Sequence, residues 1–354
     1  MPMNRRTFLR AAGGAAAASA ASRLAGAAGA PAPGRIDCQS HLYVPELLDL
    51  MEKRRDGVRV ESRGADRFVI MGDWIRKVLP GHSDVGAKVA AMDRAGIART
   101  ALSINDPGPE VFGGEGPAVA RVANDWIADV CRRRPDRFFG LAVLPLQDMK
   151  AAMAEFDRCF GRLGFKGVLL YSNIAGRWPD EDWFHPLFEA VEDRGVPLLL
   201  HPALPTTAAV VKGYEMISGL GNMFDTTIAL NRIILSGLLD RHPRLKVVCP
   251  HLGGTLPYVI GRVDHQTQVL KRGAGRIRRK PSEYLRQVWL DVVSPLPAAI
   301  SFAHRMVGAD RLLFSSDHPW VDPQLIVDCV EEAGLPAADL PKLYRSNAER
   351  LFGL

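Results

Sequence analysis

Eight short apolar runs, each followed by a stretch with helical periodicity, fill this chain from residue 35 to its end. The runs are 35–41, 99–104, 138–144, 166–171, 196–201, 245–250, 287–293 and 311–316. Short apolar runs bounded in this way read as strands buried on both faces. Parallel neighbours need a crossover between them, and a helix is the usual one. Val119, Val122, Trp126, Ile127 and Val130 share one helical face, and Met149, Met153, Phe156, Phe160 and Leu163 share another. Ile228, Ile234 and Leu238 follow the same rule. By their spacing these are core stripes. Gly96, Gly164 and Gly195 stand where such helices would end. Eight strand-then-helix units in 354 residues predict one α/β domain, a closed (β/α)8 TIM barrel over residues 31–354.

One connection is too long for a simple strand-to-helix loop. Residues 45–87 follow the first run and contain the charged stretch Glu52–Arg67 and a short apolar run, Arg67–Met71. They read as an insertion over the barrel mouth, a small hairpin plus a helix. Loops at that face select substrates.

Four of the runs end on a histidine or an aspartate. They are IDCQSH at His41, VPLLLH at His201, LKVVCPH at His251 and RLLFSSD at Asp317. In a parallel barrel the strand C-termini converge on one mouth. Imidazoles and a carboxylate gathered there point to a bound divalent metal, which needs three or four such donors on rigid elements. Gln39 and His41 share a face of the first strand, whereas Cys38 and Ser40 do not. A metal with one position left for water makes that water acidic near neutral pH, and a neighbouring imidazole can then move a proton. Asp37 is expected to orient the first strand end, and His318 to support Asp317. His82, His185, His242, His265 and His304 read as surface or packing residues. Tyr171 and Asn173 end the fourth run and are expected to face substrate.

The first thirty residues read as separate from the fold. NRRTFLR at 4–10 has the pattern of a twin-arginine export signal, followed by an Ala/Gly-rich stretch to Ala30. That reading places the mature protein in the periplasm or outside the cell. Residues 1–30 hold four arginines and no acid, so they account for four of the six net positive charges. The remaining balance gives no electrostatic case for nucleic acid. The one basic run left, KRGAGRIRRK at 271–280, reads as a solvated loop. Five scattered cysteines show no zinc-finger or redox spacing and read as buried free thiols. No further stretch is apolar enough to span a membrane.

IDCQSHLYVP, PDRFFGLAVLPLQD at 135–148, GVPLLLHPALP at 195–205, LKVVCPHLGGTLPYVIGRVD at 245–264, FSSDHPW at 314–320 and NAERLFGL at 347–354 form a set. Together they resemble the amidohydrolase-related family typified by aminocarboxymuconate semialdehyde decarboxylase. The resemblance covers 35–354. It implies a (β/α)8 barrel with one mononuclear metal, usually zinc, with manganese, cobalt or iron also suited. It implies a metal-dependent carboxy-lyase of aromatic or unsaturated acids that binds a small carboxylate substrate, with hydrolases among its relatives. The family's first-strand His-x-His falls on Gln39 and His41, its other ligands on His201 and Asp317, and its proton-handling histidine on His251. The family's arginine that crosses a homodimer interface to hold a substrate carboxylate falls on Arg262. Gln39 departs from the pattern, since an amide oxygen is a weaker ligand than imidazole. A metal-dependent hydrolase of an ester, lactone or amide, with Asp317 as proton acceptor, is the second reading. A barrel that binds small molecules without catalysis is the third.

Overall fold

The computed structural model describes residues 34–354. The export reading of residues 1–30 lies outside them. The barrel strands run in chain order around a parallel sheet. The first strand is broken into β1 (Arg35–Asp37) and β2 (His41–Leu42), both paired with β6 (Ile97–Ile104). The sheet continues through β7 (Phe138–Ala142), β8 (Gly167–Tyr171), β9 (Pro197–His201), β10 (Lys246–Cys249), β11 (Trp289–Asp291) and β12 (Leu312–Leu313). Each of the eight apolar runs contributes a strand.

Single backbone bonds close the circle between β12 and the first strand. Cys38 N–H donates to Phe314 O at 3.0 Å, Asp317 N–H to Gln39 O at 3.0 Å, and His41 N–H to His318 O at 2.8 Å. This seam lies directly between two of the strand-end residues singled out above. The Asp37 carboxylate reinforces it by accepting from Ser316 N–H at 3.0 Å and Ser316 Oγ–H at 2.6 Å. Lys88, buried in the helix Val85–Arg94, donates to Ser40 Oγ, and to His318 O at 3.1 Å.

Two apolar layers hold the fold. Inside the barrel, Ile36, Ala101, Phe139, Leu141, Leu199, Val248 and Leu313 meet Leu351 and Phe352 of the C-terminal helix. The Phe139 and Phe352 rings lie 5.0 Å apart, so NAERLFGL plugs one end. A second, larger layer packs the strands against the outer helices. The helical stripes lie on that layer, except that Val122 and Ile228 sit at its margin and are exposed. Gly164 and Gly195 adopt left-handed conformations at helix ends.

The insertion is larger than a hairpin. A helix, Pro45–Glu52, precedes a three-stranded antiparallel sheet of β3 (Arg59–Arg63), β4 (Asp66–Met71) and β5 (Trp74–Val78). The run Arg67–Met71 is its central strand, with Val69 and Ile70 buried. Five free cysteines are present among the described residues, four of them buried. No helix among the described residues is long and apolar enough to cross a membrane.

Candidate metal centre and active site

His41, His201 and Asp317 each offer a donor atom, and these atoms lie within 4.8 Å of one another. Strand geometry puts them there. Leu199 belongs to the inner core, and His201, two residues on, carries the same face up to the mouth. Asp317 lies four residues beyond Leu313, past the end of β12.

Hydrogen bonds fix both imidazoles. His201 Nδ1–H donates to Pro202 O at 2.8 Å, which leaves Nε2 as the free lone pair. His41 Nδ1 faces Ser103 Oγ at 2.7 Å and Ile104 O at 3.2 Å, so its Nε2 is turned toward Asp317 Oδ1 at 3.3 Å. Partners of this kind hold a ligating imidazole in the right tautomer. Burial, with the nearby His41, pushes the His201 pKa well below its ordinary value, keeping the ring neutral.

Gln39 lies in the same ring of groups. Its Nε2 is 3.3 Å from Asp317 Oδ1 and 3.5 Å from His41 Nε2. Its Oε1 is buried without a hydrogen-bond partner. With the amide turned over, Oε1 would face the other donors, where a bound cation would satisfy it. Two imidazoles, one carboxylate and one unpartnered amide oxygen fit a single divalent ion.

His251 stands beside this set. Its Nε2 lies 3.7 Å from Asp317 Oδ2, and its Nδ1 has no protein partner. Burial alone would lower the His251 pKa, but the facing Asp317 carboxylate outweighs it and raises it. Burial likewise pushes Asp317 up, and the hydrogen bonds with His251 and His41 more than reverse that. Asp317 is therefore ionised and His251 carries a proton more readily than a free imidazole.

Both residues are held in strained backbone. Asp317 has φ 58°, and His251 and Leu252 have φ 53° and 57°. Such values in non-glycine residues cost free energy and cluster at functional sites. The HLGG sequence sustains the second of these turns. Gly254 has φ 63°, and a Cβ there would lie 2.5 Å from Thr227 Oγ1. Asp291, at the end of β11, accepts from His251 N–H at 2.8 Å and Val293 N–H at 3.1 Å. Burial raises its pKa to about 7.

His201, His251 and Asp317 line a cavity of about 1160 Å³. Residues not singled out in the sequence complete its charged end. Arg76 of β5 donates to Asp106 Oδ2 at 2.8 Å, with side chains only 10% and 5% exposed. Its guanidinium stacks 3.7 Å over Trp320. Asp106 lies two residues beyond β6, so the strand-end rule extended through SINDPG would have found it. Nothing in the polar pattern of 67–78 marks Arg76. His82, read as a surface or packing residue, is buried, packs with its ring 4.7 Å from that of Trp320 and also lines the cavity.

Two expected substrate contacts, Tyr171 and Asn173, are not brought to this cavity. Arg262, expected to reach across a homodimer interface, is exposed on the helix Leu256–Asp264 and does not line the cavity of its own chain. Asn173 lines a separate cavity, its amide committed to Leu204 O, Asp225 Oδ2 and Gly176 N–H. Tyr171 is buried behind His201, ring centroids 5.9 Å apart. Tyr171 pairs in register with His201 at the end of the neighbouring strand but does not line the cavity, which strand position in the sequence does not reveal. His318 bonds Lys88 Nζ through Nδ1 at 2.9 Å and does not face the donor ring.

A closed parallel barrel with a His–His–Asp donor set at its mouth defines a metal-dependent barrel enzyme. The chain belongs to the amidohydrolase family, whose model matches residues 36–354. It is similar to gamma-resorcylate decarboxylase from Rhizobium sp. (strain MTP-10005), 32% identical over 337 residues, covering 91% of this chain and 98% of that protein. Among solved structures it resembles 5-carboxyvanillate decarboxylase LigW from Sphingomonas paucimobilis, with TM-score 0.81, 26% identity, and coverage of 91% and 100%. It also resembles dihydroxybenzoic acid decarboxylase from Polaromonas sp. JS666, solved with manganese and 2-nitroresorcinol. That match has TM-score 0.77, 29% identity, and coverage of 91% and 98%.

Proposed function

We propose that this chain is a metal-dependent carboxy-lyase that removes CO2 from a hydroxylated aromatic acid. The observation that carries the reading is His251 set against Asp317 beside a complete metal-donor set, in a cavity whose buried cation is Arg76. His41, His201 and Asp317 would hold the cation, with the Gln39 amide oxygen as a further donor. When bound, the cation supplies Lewis-acid polarisation of substrate oxygens. Replacing one imidazole by an amide oxygen makes the donor set harder, which favours manganese over zinc. Elemental analysis distinguishes the two.

Arg76 orients the acid. Its Nη1 serves Asp106, and its other N–H groups make no hydrogen bond among the described residues, so a carboxylate can take them. His251 holds a proton at Nε2. As the bond between ring and carboxylate breaks, its electron pair stays on the ring carbon and CO2 leaves. His251 delivers its proton to that carbon and is reprotonated from solvent. Trp320 and Trp74–Lys77 of the insertion sheet line the site.

Incubating the metal-loaded protein with single-ring hydroxybenzoates and following CO2 together with the phenol product tests this. Equal amounts of the two support it. A new acid paired with an alcohol or amine, from an ester or amide panel, would instead select the hydrolase reading. Export by residues 1–30 and homodimer formation through the Arg262 face belong to the same proposal. Cell fractionation and sedimentation, respectively, test them.

A further inference from the structure

The cavity is far larger than a single-ring acid needs. Sites of about 300–1,000 Å³ bury drug-sized ligands, and this one reaches about 1160 Å³. Two parts of its lining differ in chemistry, with Lys77 and Glu215 elsewhere on it. Arg76, Asp106, His201, His251 and Asp317 make up one part. The segments 252–258 and 293–302 form another wall and put no charged side chain on it. Leu252 and Val293 are buried there, and Leu296, Ala299 and Phe302 extend the wall outward. The helix Pro297–Val307 packs against the His251 turn, so this wall begins beside the proton donor.

Resting on the carboxy-lyase reading, we propose that the substrate is an aromatic acid carrying a large apolar substituent, an alkyl chain or a second ring. The acid group sits at the metal end, and the substituent lies along Leu252, Val293, Leu296, Ala299 and Phe302. An uncharged wall continuous with the reacting groups selects such a ligand because each apolar carbon placed on it leaves water.

The test uses the metal-loaded chain and 2,6-dihydroxybenzoates bearing hydrogen, methyl, propyl or pentyl at ring carbon 4. kcat/KM should rise about fourfold per buried methylene. Ala299→Phe, which fills the wall, should flatten the series, and Phe302→Ala should move its maximum to longer chains. Calorimetric binding of 2-nitroresorcinols carrying the same alkyl groups separates the two levels. Affinity that climbs with chain length while no acid is decarboxylated would keep the subsite and overturn the carboxy-lyase reading. Turnover of the parent acid with a flat or falling series, as when a second copy of the chain covers this wall, would overturn the subsite and keep the reading. Neither binding nor turnover would overturn both.

Discussion

Arg76→Met is expected to cost about 3–5 kcal/mol of stability, because it leaves the Asp106 carboxylate buried without its counter-ion. The pair is 2.8 Å apart and almost wholly out of water, so solvent screening offers little relief. Asp106 Oδ1 already lacks a hydrogen-bond partner, and only Oδ2 is served. Burial raises the Asp106 pKa, and Arg76 opposes that rise. Without Arg76 the pKa climbs further. A carboxyl whose folded pKa exceeds its unfolded one contributes stability below the unfolded pKa and loses it as pH rises through the folded pKa. The variant should therefore be most damaged at neutral pH and partly recover in acid. Adding Asp106→Asn removes the stranded charge, and the double variant should regain at least half of the loss. What stays lost is stacking on Trp320, about 0.5–2 kcal/mol. Urea unfolding of metal-loaded single and double variants at pH 5.5 and 7.5 measures all of this. A single variant within about 1 kcal/mol of the parent, or no rescue by Asp106→Asn, would refute the reasoning. In the double variant, kcat/KM should still be down about 10- to 150-fold, the worth of charge-assisted hydrogen bonds to a carboxylate.

His251→Asn should keep its metal by elemental analysis while kcat falls about 10²- to 10⁴-fold, the usual contribution of a positioned proton donor. Lys88→Met should weaken metal binding about 10- to 100-fold in a competition titration, since Lys88 ties together the segments carrying His41 and Asp317. Unchanged affinity would confine Lys88 to packing. Burial raises the Glu110 pKa to about 8, so its stabilising contribution fades as pH rises from the unfolded value to about 8. Glu110→Gln should remove that loss, and its advantage in urea midpoint should grow to a plateau near pH 8.

The barrel was legible because its signal is repeated. Eight apolar runs with helices between them admit few other folds, and His41, His201, His251 and Asp317 announced themselves by ending four of those runs. The charged end of the cavity was not legible. Arg76 comes from a strand of the insertion, 35 residues beyond His41 in the chain, and its direction depends on β5 pairing with β4. Lys88 lies in a helix whose pattern reads as an ordinary amphipathic face, and only the closed seam shows why a lysine is buried there. Tyr171 and Asn173 showed the opposite failure. They end a strand as His201 does, but Asn173 spends its amide on the loop above β9 and Tyr171 packs behind the donor ring. Strand-end position identifies candidates, and the hydrogen bonds and packing each side chain makes decide among them.

The most direct test strips the full-length chain with a chelator and reloads it with graded manganese. Metal per chain and CO2 released from 2,6-dihydroxybenzoate are then followed in the same samples. CO2 release that rises in step with occupancy, saturates near one ion per chain and disappears in Asp317→Asn is the predicted result. A folded chain that fills with metal and yields no CO2 from any hydroxybenzoate would contradict the account.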